Sequence, residues 1–306
     1  MAGSARQRRL LYLIDASIYV FRAWHALPGS IATPAGDEVN AVYGFGAFIA
    51  GFLEKVRPTH AAVLFDESLT SSFRNRMFPG YKRSRGEPPD NLLWQFRLCR
   101  RLVRGAGLAE YASRRYEADD LIGTIATRMR PRGFSMVYVS RDKELLQLMR
   151  AGDVYWDFAA DRRIGAAEVR AALGVRPDQV VDYMALSGDP IDDIPGVPGI
   201  GPKTAAALIN SSGSLEELYA RLDHLPRSIR GAARIRQRLH EYRAQVFLAR
   251  RLATIHGDIP MKVDPERLRW RGPNLRALNR LFNELGFGER LRKRFRELGV
   301  SLGDGD

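Results

Sequence analysis

The sequence predicts an α/β protein with a mostly parallel central sheet flanked by helices, followed by a smaller helical subdomain. Three observations carry this. Short continuous apolar runs alternate with helix-period segments through the first half of the chain. Those runs are apolar at every position, as strands buried on both faces are. Beyond about Gly165 the runs stop and only helical patterns continue.

Taken in order, "LLYLIDA" (10 to 16) reads as the first strand, "HAAVLFD" (60 to 66) as the second and "FSMVYVS" (134 to 140) as another. Between them, "NAVYGFGAFIAGFLEKV" (40 to 56), "NLLWQFRLCRRLVRGAG" (91 to 107) and "EADDLIGTIATRMRPRG" (117 to 133) carry the helical period. "VYWDF" (154 to 158) is an added edge strand. Then come the helical patterns "PDQVVDYMALSG", "PKTAAALINSSG", "SLEELYARL" and "LRALNRLFNELGFGERLRKRFREL". This divides the chain into an α/β core over 1–175 and a helical subdomain over 176–306. No internal repeat interrupts it.

With 306 residues, 45% hydrophobic and 27% charged, the chain has the balance of a soluble globular protein. No apolar run approaches the ~20 residues that span a bilayer, and "LLYLID" is too short and too soon interrupted for a signal peptide. A cytoplasmic location and no membrane partner are expected. The single Cys99 excludes an internal disulfide, and the five histidines do not pair with it at zinc-ligand spacing. A net charge of +13, mostly from arginine, points either to a polyanionic partner, nucleic acid first, or to a general arginine bias.

Local features decide between these. Asp15 and Asp66 end the first two strands, Asp142 and Glu144 follow a later one, and Glu117, Asp119 and Asp120 crowd the start of a helix. In a doubly wound sheet these positions share the carboxyl edge, where ligands bind. Singly, each acid is explained by helix capping or the helix dipole. Jointly they repel by several kcal/mol at protein-like dielectric unless cations neutralise them. An oxygen-only set selects Mg²⁺ or Mn²⁺.

Residues 67 to 90 are polar and basic, with Arg74, Arg76, Lys82, Arg83 and Arg85 interleaved with Phe73, Phe78 and Tyr81, a composition suited to single-stranded nucleic acid. In "LSGDPIDDIPGVPGIGPKTAAALI" (186 to 209), Asp189, Asp192 and Asp193 precede a glycine-punctuated turn between two helices. Pro202 breaks any Walker loop, and no strand precedes it. A helical hairpin remains, in which Gly199, Gly201, Lys203 and Thr204 lie where a helix N-terminus can hold a phosphate; an ordinary αα-hairpin fits as well.

Six stretches, "YLIDAS", "VLFD", "FRNRMFPGYKRSR", "YEADDLIGTIA", "VSRDKELLQL" and "LSGDPIDDIPGVPGIGPKTAAALI", run in an order that resembles the 5′-nuclease domain of bacterial DNA polymerase I and its stand-alone relatives, the flap endonucleases. The resemblance implies a PIN-like 5′-nuclease core with a helix-three-turn-helix DNA-binding subdomain, and a stand-alone, monomeric enzyme. It implies structure-specific 5′-3′ exonuclease and flap endonuclease action in DNA replication and repair, by two Mg²⁺ or Mn²⁺ ions, on DNA with a 5′ flap or a 5′ end at a junction. Carried over position by position, Asp15, Asp66, Glu117, Asp119 and less directly Asp120 hold the first metal. Asp142, Glu144, Asp189 and Asp192 shape the second. Glu144 replaces the usual Asp and Asp193 the usual Asn, and the extra methylene puts the second ion's site in question. The resemblance also makes 67–92 an arch over a single strand, in which Tyr81 stacks or positions and Lys82 and Arg85 meet the scissile phosphate. At the helix-three-turn-helix it implies duplex phosphates and a K⁺ ion. A PIN-like ribonuclease and a catalytically silent DNA-binding module are the alternatives.

Overall fold

The computed structural model describes residues 9–67, 71–225 and 229–300. Positions 68 to 70 of the expected arch lie outside the described residues, as do both termini. In chain order the elements are β1 (Arg9–Asp15), α1 (Ala16–Ala26), α2 (Asn40–Val56), β2 (His60–Asp66), α3 (Phe73–Met77), α4 (Asp90–Gly105), β3 (Ala109–Ser113), α5 (Ala118–Met129), β4 (Phe134–Val139), β5 (Val154–Asp157), β6 (Arg162–Gly165), α6 (Val169–Leu173), α7 (Val180–Ser187) and α8 (Pro202–Ser212). From there to Val300 the described elements are helices.

Two compact units form, one drawn from Met1–Leu69, Pro88–Arg141 and Gly257–Asp306, the other from Thr70–Glu87 and Asp142–His256. This differs from a boundary at residue 175. Residues 70–87 and 142–175 join the helical hairpin, whereas the last helices join the sheet. The reason is packing: Leu275–Glu284 and Glu289–Val300 bury Leu278, Leu281, Phe282, Leu291 and Phe295, and they do so against α4 and α2. Gly46 of α2 leaves room for this, since a Cβ there would come within 2.8 Å of Leu102 and 3.1 Å of Leu291. Paired guanidinium–carboxylate contacts from Arg101 to Glu284 and from Arg294 to Glu54 fix the same helices at their rims.

In the first unit the strands are parallel in the order β3-β2-β1-β4. Every residue of β4 is buried, and six of the seven in β2 are, which is why their sequences are continuously apolar. The chain leaves β1 for β2 on one side and later returns to the other side of β1 as β4. In open parallel sheets, the carboxyl end of the strand where such a reversal occurs is where ligands bind. The helices are held in place by specific polar contacts. No side chain at Val39 caps α2; instead buried Gln95 of α4 accepts the amides of Ala41 (2.8 Å) and Val42 (3.3 Å).

In the second unit β5 pairs antiparallel with β6, a strand the sequence reading does not contain. The helices α7 and α8 are joined by a 14-residue turn, residues 188 to 201, that opens on left-handed Gly188 (φ +72°).

Candidate functional site

The first group of acids is built where three elements of the first unit meet. Asp15 of β1 lies opposite Leu64 of β2, so Asp66 ends its strand at the same edge. Asp15 caps α1: its Oδ1 accepts the Ser17 amide (3.2 Å) and its Oδ2 accepts the Ser140 hydroxyl (3.0 Å). The Ser17 hydroxyl donates onward to Asp66 Oδ2 (2.9 Å), and Asp66 Oδ1 accepts the amide of Ala118, the first residue of α5 (2.6 Å). Asp15, Ser17, Asp66 and the start of α5 are thus one run of hydrogen bonds. In that first turn Glu117 and Asp120 form a reciprocal capping box, with the Glu117 amide donating to Asp120 Oδ2 (3.1 Å). Asp119 lies between them and is buried. The opening charges of α5 therefore divide. Asp120, fully buried, serves the helix through its cap, while Asp119 is in the same turn without a part in that box.

The second group belongs to the second unit. Asp142 caps the short helical stretch Lys143–Leu148 by accepting the Glu144 amide (2.9 Å). Part of Asp142 reaches solvent, but its carboxylate is enclosed by protein. That desolvation, with the charge of Asp192 next, pushes it up to about 6, against the opposing pull of the Glu144 amide. Glu144 is pushed well above the usual carboxylate range, first by burial and then by Asp142 and Asp192. Its Oε1 is buried without a hydrogen-bond partner. Asp192, also buried, is met by residues 81–85: Tyr81 donates to its Oδ2 (3.1 Å), Lys82 Nζ lies 3.3 Å from the same oxygen, and Arg85 pairs with Oδ1. Asp189 closes the same loop, exchanging backbone bonds with Ile194 and accepting the Ile191 amide (2.8 Å).

Two sequence expectations are corrected here. Tyr81 is 1% exposed with its hydroxyl on Asp192, so its ring is core and offers no face to a base; of the two expected roles, stacking is removed and positioning is left. Arg74 is fully buried and donates to the Leu252 (2.7 Å) and Thr254 (2.8 Å) carbonyls, which lack helical partners at the end of Arg243–Ala253. Its charge stabilises a helix end and is not presented to nucleic acid.

Beyond Asp193 the chain turns into α8. Gly188 and Gly196 pass so closely that a Cβ on Gly196 would stand 2.4 Å from the Ser187 carbonyl oxygen. Gly199 is left-handed (φ +76°), Gly201 caps α8, and Lys203 is exposed beside partly buried Thr204. Arg238 donates to the Pro198 carbonyl and lies directly over Gly199, where a Cβ would overlap it.

The family model of the 5′-3′ exonuclease N-terminal resolvase-like domain matches residues 10–174, and that of the 5′-3′ exonuclease C-terminal SAM fold matches residues 175–276. The chain belongs to the 5′-3′ exonuclease family. DNA polymerase I of Bacillus caldotenax is 37% identical over 290 residues, 94% of this chain and 32% of that protein. DNA polymerase I of Pseudomonas aeruginosa is 37% identical over 279 residues, 90% of this chain and 30% of that one. The chain thus spans about a third of the length of these curated relatives. Among solved structures, phage T5 5′-exonuclease with divalent metal ions (zinc) bound superposes with a TM-score of 0.67 at 18% identity, over 95% of this chain and 100% of that one. Human GEN1 in complex with Holliday junction DNA does so with 0.63 at 13%, over 97% and 72%. These structural likenesses establish a shared fold.

In this member of the 5′-3′ exonuclease family, no group of three or more His, Cys, Asp or Glu side chains stands at metal-binding spacing among the described residues. The nine acids fall in two sets by unit: Asp15, Asp66, Glu117, Asp119 and Asp120 in the first, and Asp142, Glu144, Asp189 and Asp192 in the second. Carboxylates a few ångströms apart repel, and here each of several has taken a donor: Ser17 and the Ala118 amide on Asp66, Ser140 on Asp15, Lys82 and Arg85 on Asp192. Ser17, Ser140 and Arg238 are the site neighbours that sequence reasoning missed. Ser17 and Ser140 lie inside quoted stretches, "YLIDAS" and "VSRDKELLQL", but Ser140 meets Asp15 from 125 residues away and Arg238 meets Pro198 from 40.

Proposed function

We propose that this chain is a structure-specific 5′-3′ exonuclease and flap endonuclease that hydrolyses DNA phosphodiesters with two divalent ions, Mg²⁺ or Mn²⁺. The observation that carries the reading is the hydrogen-bonded run Asp15–Ser17–Asp66–Ala118 at the carboxyl edge of the parallel sheet, with Asp119 and Glu117 in the turn it reaches. The donor chemistry fits hard cations: every candidate is a carboxylate, Glu144 keeps a buried oxygen without a donor, and Asp142 has a raised affinity for a proton that a nearby cation would relieve.

Asp15, Asp66, Glu117 and Asp119 would hold one ion, and Asp142, Glu144, Asp189 and Asp192 another. Such ions would supply charge neutralisation and a more acidic water. The residues of the chain supply the rest. Lys82 and Arg85, held on Asp192, exchange that carboxylate for a phosphate oxygen and neutralise the charge building on it, an effect worth about 3 kcal/mol per donor. Gly199, Gly201, Lys203 and Thr204, with Arg238 beside them, hold backbone phosphates without reading bases, and the same turn is the candidate K⁺ site. We propose that the protein acts as a monomer in the cytoplasm, on DNA carrying a 5′ flap or a 5′ end at a junction.

Product mapping on a 5′-labelled flap, with Mg²⁺ and with EDTA, tests this. A Mg²⁺-dependent cut near the junction or a ladder of short 5′ products is expected, the first meaning endonuclease and the second exonuclease. Cleavage of matched single-stranded RNA in preference to the flap would transfer the reading to a ribonuclease, and binding without turnover to a DNA-binding module.

A further inference from the structure

Asp193 follows the acid loop's Asp192 but points its chemistry elsewhere. It is one of the few non-glycine residues with left-handed backbone (φ +53°), and so is Lys82 (φ +53°). The two left-handed turns are joined. Asp193 Oδ2 accepts the backbone amide of Ser84 (2.7 Å), the Lys82 amide donates to the Asp192 carbonyl (3.0 Å), and Arg85 Nε donates to the Ile191 carbonyl (3.3 Å). The Ser84 amide lies in the short helical turn Arg83–Arg85, between the two cations assigned to the phosphate. The Lys82 amide and the Arg85 Nε both donate to main-chain carbonyls of the loop, so any residue at 191 or 192 accepts them. The Ser84 bond alone among these three depends on a side chain of the acid loop.

We propose that Asp193 is a positioning residue, which by holding the Ser84 amide fixes Lys82 and Arg85 at the height and angle they need for the scissile phosphate. This rests on the nuclease reading above and adds to it a residue that touches neither substrate nor ion. The bond is between a carboxylate and an amide, stronger than a neutral pair, and a displacement of about 1 Å in a charge-neutralising group lowers a rate about 10- to 100-fold.

Three substitutions separate the side chain from the backbone it sits on. Asp193→Asn keeps an acceptor and tolerates the left-handed turn; Asp193→Gly tolerates the turn without an acceptor; Asp193→Ala lacks both. Each is compared with wild type in single-turnover flap cleavage with Mg²⁺, in flap binding with EDTA, and in amide hydrogen exchange over residues 81–86. Asp193→Asn is expected within about 2-fold of wild type in rate, whereas Asp193→Gly and Asp193→Ala both fall about 10- to 100-fold with flap affinity nearly unchanged and with faster exchange at Ser84. Wild-type rate and protection in Asp193→Gly, with only Asp193→Ala impaired, would mean that the backbone conformation alone matters and would overturn the proposal. Faster exchange in Asp193→Gly at an unchanged rate would also overturn it. If wild type cleaves nothing, the nuclease reading fails, and the exchange data still decide whether Asp193 holds the turn.

Discussion

At the scale of single residues, the two acid groups answer to different tests. Asp119→Asn keeps the shape of its turn and removes a charge, so the fold and flap binding should persist while the Mg²⁺-dependent cleavage rate falls by at least ~100-fold; undiminished cleavage would take this turn out of the chemistry. Asp142 is a question of pH. Its carboxylate titrates near 6 in the folded chain against 3.8 as the ordinary value, because burial and then Asp192 oppose its ionisation. The folded protein therefore holds the proton more tightly than the unfolded one. This contribution to stability is fully present below about 3.8 and is lost as pH rises through about 6. Asp142→Asn, which keeps an acceptor for the Glu144 amide, should remove that fall and raise stability at pH 7 in EDTA by about 1 kcal/mol or more, read from urea midpoints at pH 4 and pH 7. An unaltered pH profile would show that Asp142 does not ionise under strain. Asp15 and Asp66 were legible because each ends an apolar run. Arg74 and Tyr81 were not, since their burial is set by partners 178 and 111 residues away and their composition is that of a nucleic-acid contact.

At the scale of elements, legibility followed hydrophobic continuity. The strands β1, β2 and β4 are apolar runs and stand where the pattern puts them. β3, "AEYAS", is short and carries Glu110, a charge that argues against a buried strand until Arg100 (2.5 Å) and Arg104 (3.0 Å) are seen to close on it. The start of α5 is the element where structure and chemistry compete for the same acids. Asp120 is wholly buried and accepts the Glu117 amide, so Asp120→Ala leaves that amide without its side-chain partner and should destabilise the fold by about 0.5–2 kcal/mol, measured by denaturant unfolding. Asp120→Asn retains an acceptor and should lose less. Unchanged stability in Asp120→Ala together with lost cleavage would reverse the assignment and make Asp120 a functional acid.

At the scale of the whole molecule, the two units draw on interleaved stretches of chain, which no reading along the sequence exposes: a helix's apolar face declares that it packs, and not against what. Net charge is the one global quantity that needs no fold, and its effect is testable. Of the 48 lysines and arginines, several are already committed, Arg74 in the core and Arg101, Arg250 and Arg294 in ion pairs, yet the chain's excess of +13 is independent of such pairing. If DNA is held chiefly through its phosphates, affinity for a flap in EDTA should fall linearly on a log–log plot against salt, by about 10³ between about 50 and 200 mM for about six phosphates neutralised. Lys203, exposed at the start of α8, and Arg238, lying over Gly199, then become separable from the background. Lys203→Ala should weaken binding alike on every sequence and reduce the slope by about 1, read by fluorescence anisotropy. Arg238→Ala should do the same if its guanidinium faces a phosphate, and should leave the slope untouched if its role ends at the Pro198 carbonyl. A slope near zero in the wild-type protein would mean that the arginine excess is surface composition and that the turn at 199–204 is an ordinary hairpin between two helices.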